Sequence, residues 1–108
     1  MAQDFRRTLF AATGTGAVTL RTATDFDAII GIRCCNIVAT TIEIDVFIEF
    51  GGGTFNIAKG VVIPPNSAVE LIQGGAKINL KNGDVLKAKS NTASSLDVVT
   101  SFIEGISS

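Results

Sequence analysis

Residues 41–50, TIEIDVFIEF, decide the fold class. Ile42, Ile44, Val46, Ile48 and Phe50 fall on one face of this stretch, and Glu43, Asp45, Phe47 and Glu49 fall on the other. An apolar period of two sustained over a whole strand length is what a half-buried antiparallel strand requires. A helix would space its apolar groups at i, i+3 and i+4, and this segment does not.

The neighbouring segments read the same way. Gly51-Gly52-Gly53 interrupts the chain, so Thr54–Lys59 is expected to return as a hairpin partner of Thr41–Phe50. On the N-terminal side, Ala17–Thr22 and Ala28–Asn36 read as strands separated by the polar TATDFD. Pro64-Pro65-Asn66-Ser67 is a turn, because two prolines remove two ladder donors and fix the backbone. Ala68–Ile72, Lys77–Leu80, Val85–Ser90 and Leu96–Glu104 follow, punctuated by Gly74-Gly75, by an Asn82-Gly83 turn and by SNTASS. Seven to eight short strands at regular spacing, with no stretch that argues for a helix, predict an all-β protein: a single antiparallel β-sandwich or jelly roll. Residues 1–16 form an N-terminal arm or a first strand, and residues 17–108 form the sandwich domain. As an arm, the first segment would be anchored by Phe5 and Phe10 and steered by Arg6 and Arg7.

Composition narrows the function. At 108 residues the chain is about one domain long, and it can bury a core without metal or disulfide staples. Only 18% of residues are charged against 46% hydrophobic, so either much of the surface is neutral or partner subunits cover part of it. Net charge is −1, which advertises no nucleic-acid field. All four arginines lie in the first third and most lysines late. Such blocks suit complementary edges between copies, or ordinary solvated strand faces. MAQDFRRTLF lacks the apolar segment of a signal peptide, and no apolar run reaches membrane-spanning length, so a chain made in the cytoplasm with no membrane partner is expected.

No catalytic constellation is visible. Histidine and tyrosine are absent, which removes the commonest general base. Cys34 and Cys35 are the only cysteines and are adjacent, unlike the C-x₂₋₄-C pairs of zinc sites or the C-x-x-C of redox sites. Adjacent strand residues point to opposite faces. With Ile30, Ile32 and Cys34 on the core face, the pair reads as packing, with an intersubunit contact as the other use. Asp25 and Asp27 flank Phe26 in a turn without the ligand spacing of an EF-hand, and GGGTFNIAKG lacks the order of a phosphate loop. No enzyme activity, cofactor, metal or nucleic acid is expected.

The stretch AIIGIRCCNIVATTIEIDVFIEFGGGTFNIAKGVVIPPNSAVELIQGGAKINLKNGDVLKAKSNTASSLDVVTSFIEGIS resembles small virion proteins of tailed bacteriophages. It looks closest to those of marine T4-like phages that infect cyanobacteria. The likeness runs over roughly residues 17–106 and rests on the AKGVVIPPNS turn, GGAKINLKNGDVLK and SSLDVVTSFIE. It implies a non-enzymatic virion structural protein that oligomerises and attaches to the capsid or to the neck and tail, in a decoration, cement or connector role. Its partners would be copies of itself and capsid, neck or tail proteins. The alternative is a tail or baseplate module that contacts host glycans, with Asp25, Asp27 and Phe55 at the strand tips. The residues expected to touch other subunits are Phe5, Arg6, Arg7, Phe10 and Phe47.

Overall fold

The computed structural model describes residues 4–23, 26–72 and 78–104, with the backbone alone at 4 and 5. It holds strands β1 (Asp4–Thr13), β2 (Val18–Thr22), β3 (Asp27–Asn36), β4 (Ile42–Phe50), β5 (Gly53–Ile63), β6 (Ala68–Glu70), β7 (Ile78–Leu80), β8 (Val85–Ser90) and β9 (Leu96–Glu104). One sheet runs β1-β9-β3-β6, with β7 also on β3; the other runs β2-β8-β4-β5. Every pairing is antiparallel. With β6 and β7 taken as two pieces of one strand along β3, this is the strand order of a jelly roll. The sandwich is therefore all-β, as expected. The nine strands exceed the expected seven to eight because residues 4–13 are hydrogen-bonded along β9 as a first strand.

The core lies between the sheets. Ile42, Ile44 and Val46 of β4 meet Ile29, Ile32 and Cys34 of β3 and Leu96, Val98 and Phe102 of β9 there, with Leu20, Ile63, Leu80, Leu86 and Ala88 filling the rest. Burial of each large aliphatic side chain contributes about 1.5–3 kcal/mol. The alternation of β4 holds without a break along β8. Along β5 the register shifts twice, between Ile44 and Val46 and between Val46 and Phe47, and the extra residues sit in β5. Gly60 stands in one of these bulges with φ +64, a left-handed conformation that costs glycine little. Its N–H donates to Asp45 Oδ1 at 2.8 Å.

β3 departs from simple alternation as well. A register shift between Ile29 and Gly31 turns the face, so Ile29 and Ile32 are buried and Ile30 is only half-buried. This corrects the expectation that Ile30 shares the core face with Ile32 and Cys34.

The turns gather at the two ends of the sandwich. One end is laced by polar groups: Ser90 N–H donates to Gly14 O, Ser95 N–H to Thr13 O and Ile37 N–H to Ser95 O. Buried Asn36 holds the same end, its Nδ2 donating to Thr40 O, Ile63 O and Pro64 O while its Oδ1 accepts from Val38 N–H. At the other end Gly83 N–H donates to Ala23 O and Ala23 N–H to Asp84 O.

Candidate functional site

Among the described residues the surfaces that stand open to contact are the sheet edges and the loop ends. Four edges are exposed by the topology: β1, β2, β5 and the broken line of β6 and β7. β2 spans five residues and carries a register shift, β6 and β7 span three each, and β5 is bulged twice. Short strands, bulges and charged residues are how natural sheets blunt their edges. β1 is different, because it pairs with β9 in unbroken register from Asp4↔Glu104 to Phe10↔Val98.

The arginines of β1 have distinct roles. Arg6 Nε lies 3.1 Å from Glu104 Oε1. The same carboxylate approaches Arg21 Nη2 at 3.7 Å, and Arg21 Nε donates to Asp27 Oδ2 at 2.7 Å while its guanidinium stacks 4.8 Å from the Phe102 centroid. This cluster ties β1, β2, β3 and β9 together at one end of the sheet. Arg7 points to the outer face, exposed, with no ion pair among the described residues. Two positions on, Leu9 is 56% exposed beside its register partner Val99 at 37%.

The opposite flank is built on β4 and β5. Asp45 pairs with Lys59 Nζ at 3.5 Å and stands in register with Lys89. Glu43, on the same outer face, is the one described carboxylate left without an ion pair or side-chain hydrogen bond. Its Oε1 leans over the β5 bulge, 3.7 Å from where a Cβ on Gly60 would stand. Glu43, Asp45, Lys59, Gly60 and Lys89 line an open groove of about 430 Å³ on this flank, and Val62, the register partner of Glu43, is 55% exposed beside it.

The end of the sandwich opposite Asn36 is aromatic. Phe50 is 53% exposed, and a Cβ on Gly83 would meet its ring at 3.3 Å. Phe55 is 60% exposed, folded over Gly53, and Phe26 is 43% exposed in the turn before β3. A groove of about 360 Å³ opens there, lined by Glu49, Phe50, Gly51, Gly53, Thr54 and Val85.

The expected contact residues divide. Arg6 and Arg7 are exposed on β1, and Phe10 is half-buried against the core. Phe5 lies on β1, but its side chain is outside the described residues. Phe47 falls on the outer face as its alternation requires, yet it is only 7% exposed. Its register partners are Asn56 and Lys87, and Lys87 Nζ reaches Glu49 at 2.8 Å, which runs the lysine stem along the same face. The exposed aromatics among the described residues are therefore Phe26, Phe50 and Phe55; periodicity puts Phe50 on the face of Ile42, Ile44 and Val46, but at the end of β4 that face has run past the core. Of the glycan-site candidates, Asp25 lies outside the described residues and Asp27 is 1% exposed against Arg21, leaving Phe55. Cys34 is buried, and burial, with the Glu70 carboxylate nearby, pushes its thiol up to about 12. Cys35 is half-buried and free. Among the described residues no three His, Cys, Asp or Glu side chains gather as metal ligands, and no helix is long and apolar enough to cross a membrane.

No protein-family model matches the chain, and no curated protein matches it. Solved structures do. Two crystal structures of a pentameric capsid protein isolated from metagenomic phage sequences align at a TM-score of 0.53, with 19% and 18% identity over 94% of this chain. The chain spans 62% and 61% of those longer proteins. A structure from the Bacillus endospore appendages, which form disulfide-linked pili, aligns at a TM-score of 0.54 with 14% identity, over 98% of this chain and 88% of that one. At these identities the likeness is one of fold.

Proposed function

We propose that this chain is a non-enzymatic structural protein of a bacteriophage virion that self-associates and attaches to the capsid or to the neck and tail. The observation that carries the reading is the jelly-roll strand order, laid over 94% of the chain on a pentameric phage capsid protein. The fold likeness to a pilus-forming appendage protein supports the same kind of role, a repeated building block. The chemistry agrees: charged groups gather in ion pairs, and most exposed apolar groups, such as Leu9, Phe26, Phe50, Phe55 and Val62, sit on edge strands or at loop ends, where neighbouring subunits reach them. Within the virion, a decoration or connector position at head or neck is the finer proposal, and the T4-like cyanophage parentage rests on the turns and alternation quoted above. β1 supplies the first contact surface, through Arg6 and Arg7 together with Phe5, while Phe10 and Phe47 serve packing within the protomer.

Sedimentation velocity on the purified chain, with quantitative mass spectrometry of particles of the encoding phage, tests this. A closed oligomer and a copy number that is a multiple of a capsid or neck symmetry are expected. A monomer at all concentrations, absent from particles, would overturn it.

A second reading has one observation in its favour, the aromatic end bearing Phe26, Phe50 and Phe55. A tail module contacting host glycans would use those rings as stacking platforms. Loss of cell binding on Phe50→Ala with Phe55→Ala, with the oligomer intact, would select it.

A further inference from the structure

The two flanks of the sandwich carry surfaces that fit each other rather than themselves. β1 and β2 form the edges on one flank, and β5 with β6 and β7 forms the edges on the other. The first flank offers Arg7, a cation with no carboxylate partner among the described residues, two positions from exposed Leu9 on the same face. Side chains so spaced on a strand stand about 7 Å apart. The second offers Glu43, a carboxylate with no cation partner among the described residues, directly across from exposed Val62. Such cross-strand neighbours stand about 5 Å apart. Each flank thus presents an exposed unpaired charge beside an exposed aliphatic group, with opposite signs.

We infer that a second copy of this chain docks head-to-tail, its Arg7 entering the groove at Glu43 and its Leu9 packing on Val62. The proposal rests on the self-association reading above and names its interface. Gly60 fits the role, since the absent side chain leaves the Glu43 carboxylate open at the β5 edge. Asp45 already holds Lys59 and accepts from Gly60 N–H, so Glu43 is the unpaired anion among the described residues of the groove. The alternative, twofold pairing of β1 with β1 over its regular run of residues 4–10, sets Arg7 opposite Arg7 in full register, and like charges directly opposite repel. Side-chain contact, not a continued sheet, joins the copies, because the bulges of β5 break its edge into short pieces. A head-to-tail contact between different surfaces closes into a ring when its rotation divides the circle.

The test is a charge exchange read by sedimentation at 0.15 M salt, with the thermal midpoint as folding control. Arg7 and Glu43 are both exposed, so neither substitution should disturb the fold. Arg7→Glu and Glu43→Arg should each weaken association about tenfold or more, and the double variant should recover most of that loss. Val62→Asp should weaken association in its own right. Oligomers unchanged in the single variants would overturn this interface and leave self-association standing. Weakening without mutual rescue would overturn the Arg7–Glu43 pairing. A wild-type monomer at every concentration would overturn the self-association reading and this interface with it.

Discussion

Asn36 holds the polar end of the sandwich in a way no apolar residue could. Its two amide hydrogens serve three carbonyls within 3.1 Å, from Thr40, Ile63 and Pro64, so at least one hydrogen is shared. Asn36→Ala strands those carbonyls and the Val38 N–H in a buried setting, at a cost of about 2–3 kcal/mol. Calorimetry should show the midpoint fall by roughly 10–20 °C for a domain of this size. A fall of under a few degrees would mean that water replaces the amide. Thr100 is the opposite case: its hydroxyl is buried without a hydrogen-bond partner, opposite Thr8, whose hydroxyl is in the same condition. Thr100→Val should therefore hold or raise the midpoint, although valine usually replaces threonine at a loss where the hydroxyl is bonded. The adjacent cysteines separate by burial. In the folded protein an alkylating reagent at pH 8 should label Cys35 and spare Cys34, whose raised thiol stays protonated. The folded pKa of about 12 lies above the ordinary value of 9.0, so this stabilisation is complete below pH 9 and is lost as pH rises from there towards 12. Equal labelling of both cysteines would show that β3 opens to solvent. The packing role of Cys34 was legible from its place in a strand. The role of Asn36 was not, because its partners come from the Pro64 turn, distant in sequence.

β4 and β5 show which features of an element a sequence carries. β4 has β8 on one side and β5 on the other, so each residue must face either the core or the outside, and the alternation of residues 41–50 states this outright. β5 is an edge, free to bulge, and its two register shifts leave no period to read; the expected end at Lys59 falls short of Ile63 for that reason. The bulge at Gly60 is nonetheless required by its backbone. Gly60→Val forces a branched side chain into φ +64, at a cost of about 1–2 kcal/mol. Gly16→Ala, in open space and without that constraint, should be near neutral. Equal effects of the two substitutions on the thermal midpoint would mean that the bulge relaxes. The Arg21 cluster acts at the same scale, since it joins four strands through two arginines and two carboxylates. Asp27→Ala removes the buried partner of Arg21 and should cost about 3–5 kcal/mol. Its loss should be largely insensitive to salt because Asp27 is shielded from solvent. Strong salt dependence of the wild-type midpoint would instead point to the exposed pair Lys87–Glu49. Neither carboxylate of the cluster announced itself in the sequence: Asp27 reads as a turn residue and Glu104 as the end of a strand.

At the scale of the whole molecule, the first and last strands are neighbours, with Asp4 opposite Glu104. The jelly roll closes its β1-β9-β3 sheet only when both ends of the chain are in place, which makes its topology highly non-local and predicts folding in milliseconds to seconds rather than microseconds. The sequence disclosed the strand inventory, because turn residues and alternation are local. It did not disclose this closure, since pairing between β1 and β9 leaves no local signal, and an arm and a first strand look alike. The difference has an experimental consequence. A detachable arm could be removed to leave a stable domain, whereas removal of β1 bares the edge of β9 and takes Phe10 off the core beside Val98. Deletion of residues 1–13 should therefore abolish cooperative unfolding, or yield soluble aggregates through the newly exposed β9 edge. Calorimetry and light scattering on the truncated chain decide the matter. A monodisperse monomer with a midpoint near the wild type would mean that β1 is dispensable to the fold and acts only between subunits. A lost transition would make point substitutions on β1, such as Arg7→Glu, the sound way to separate assembly from folding.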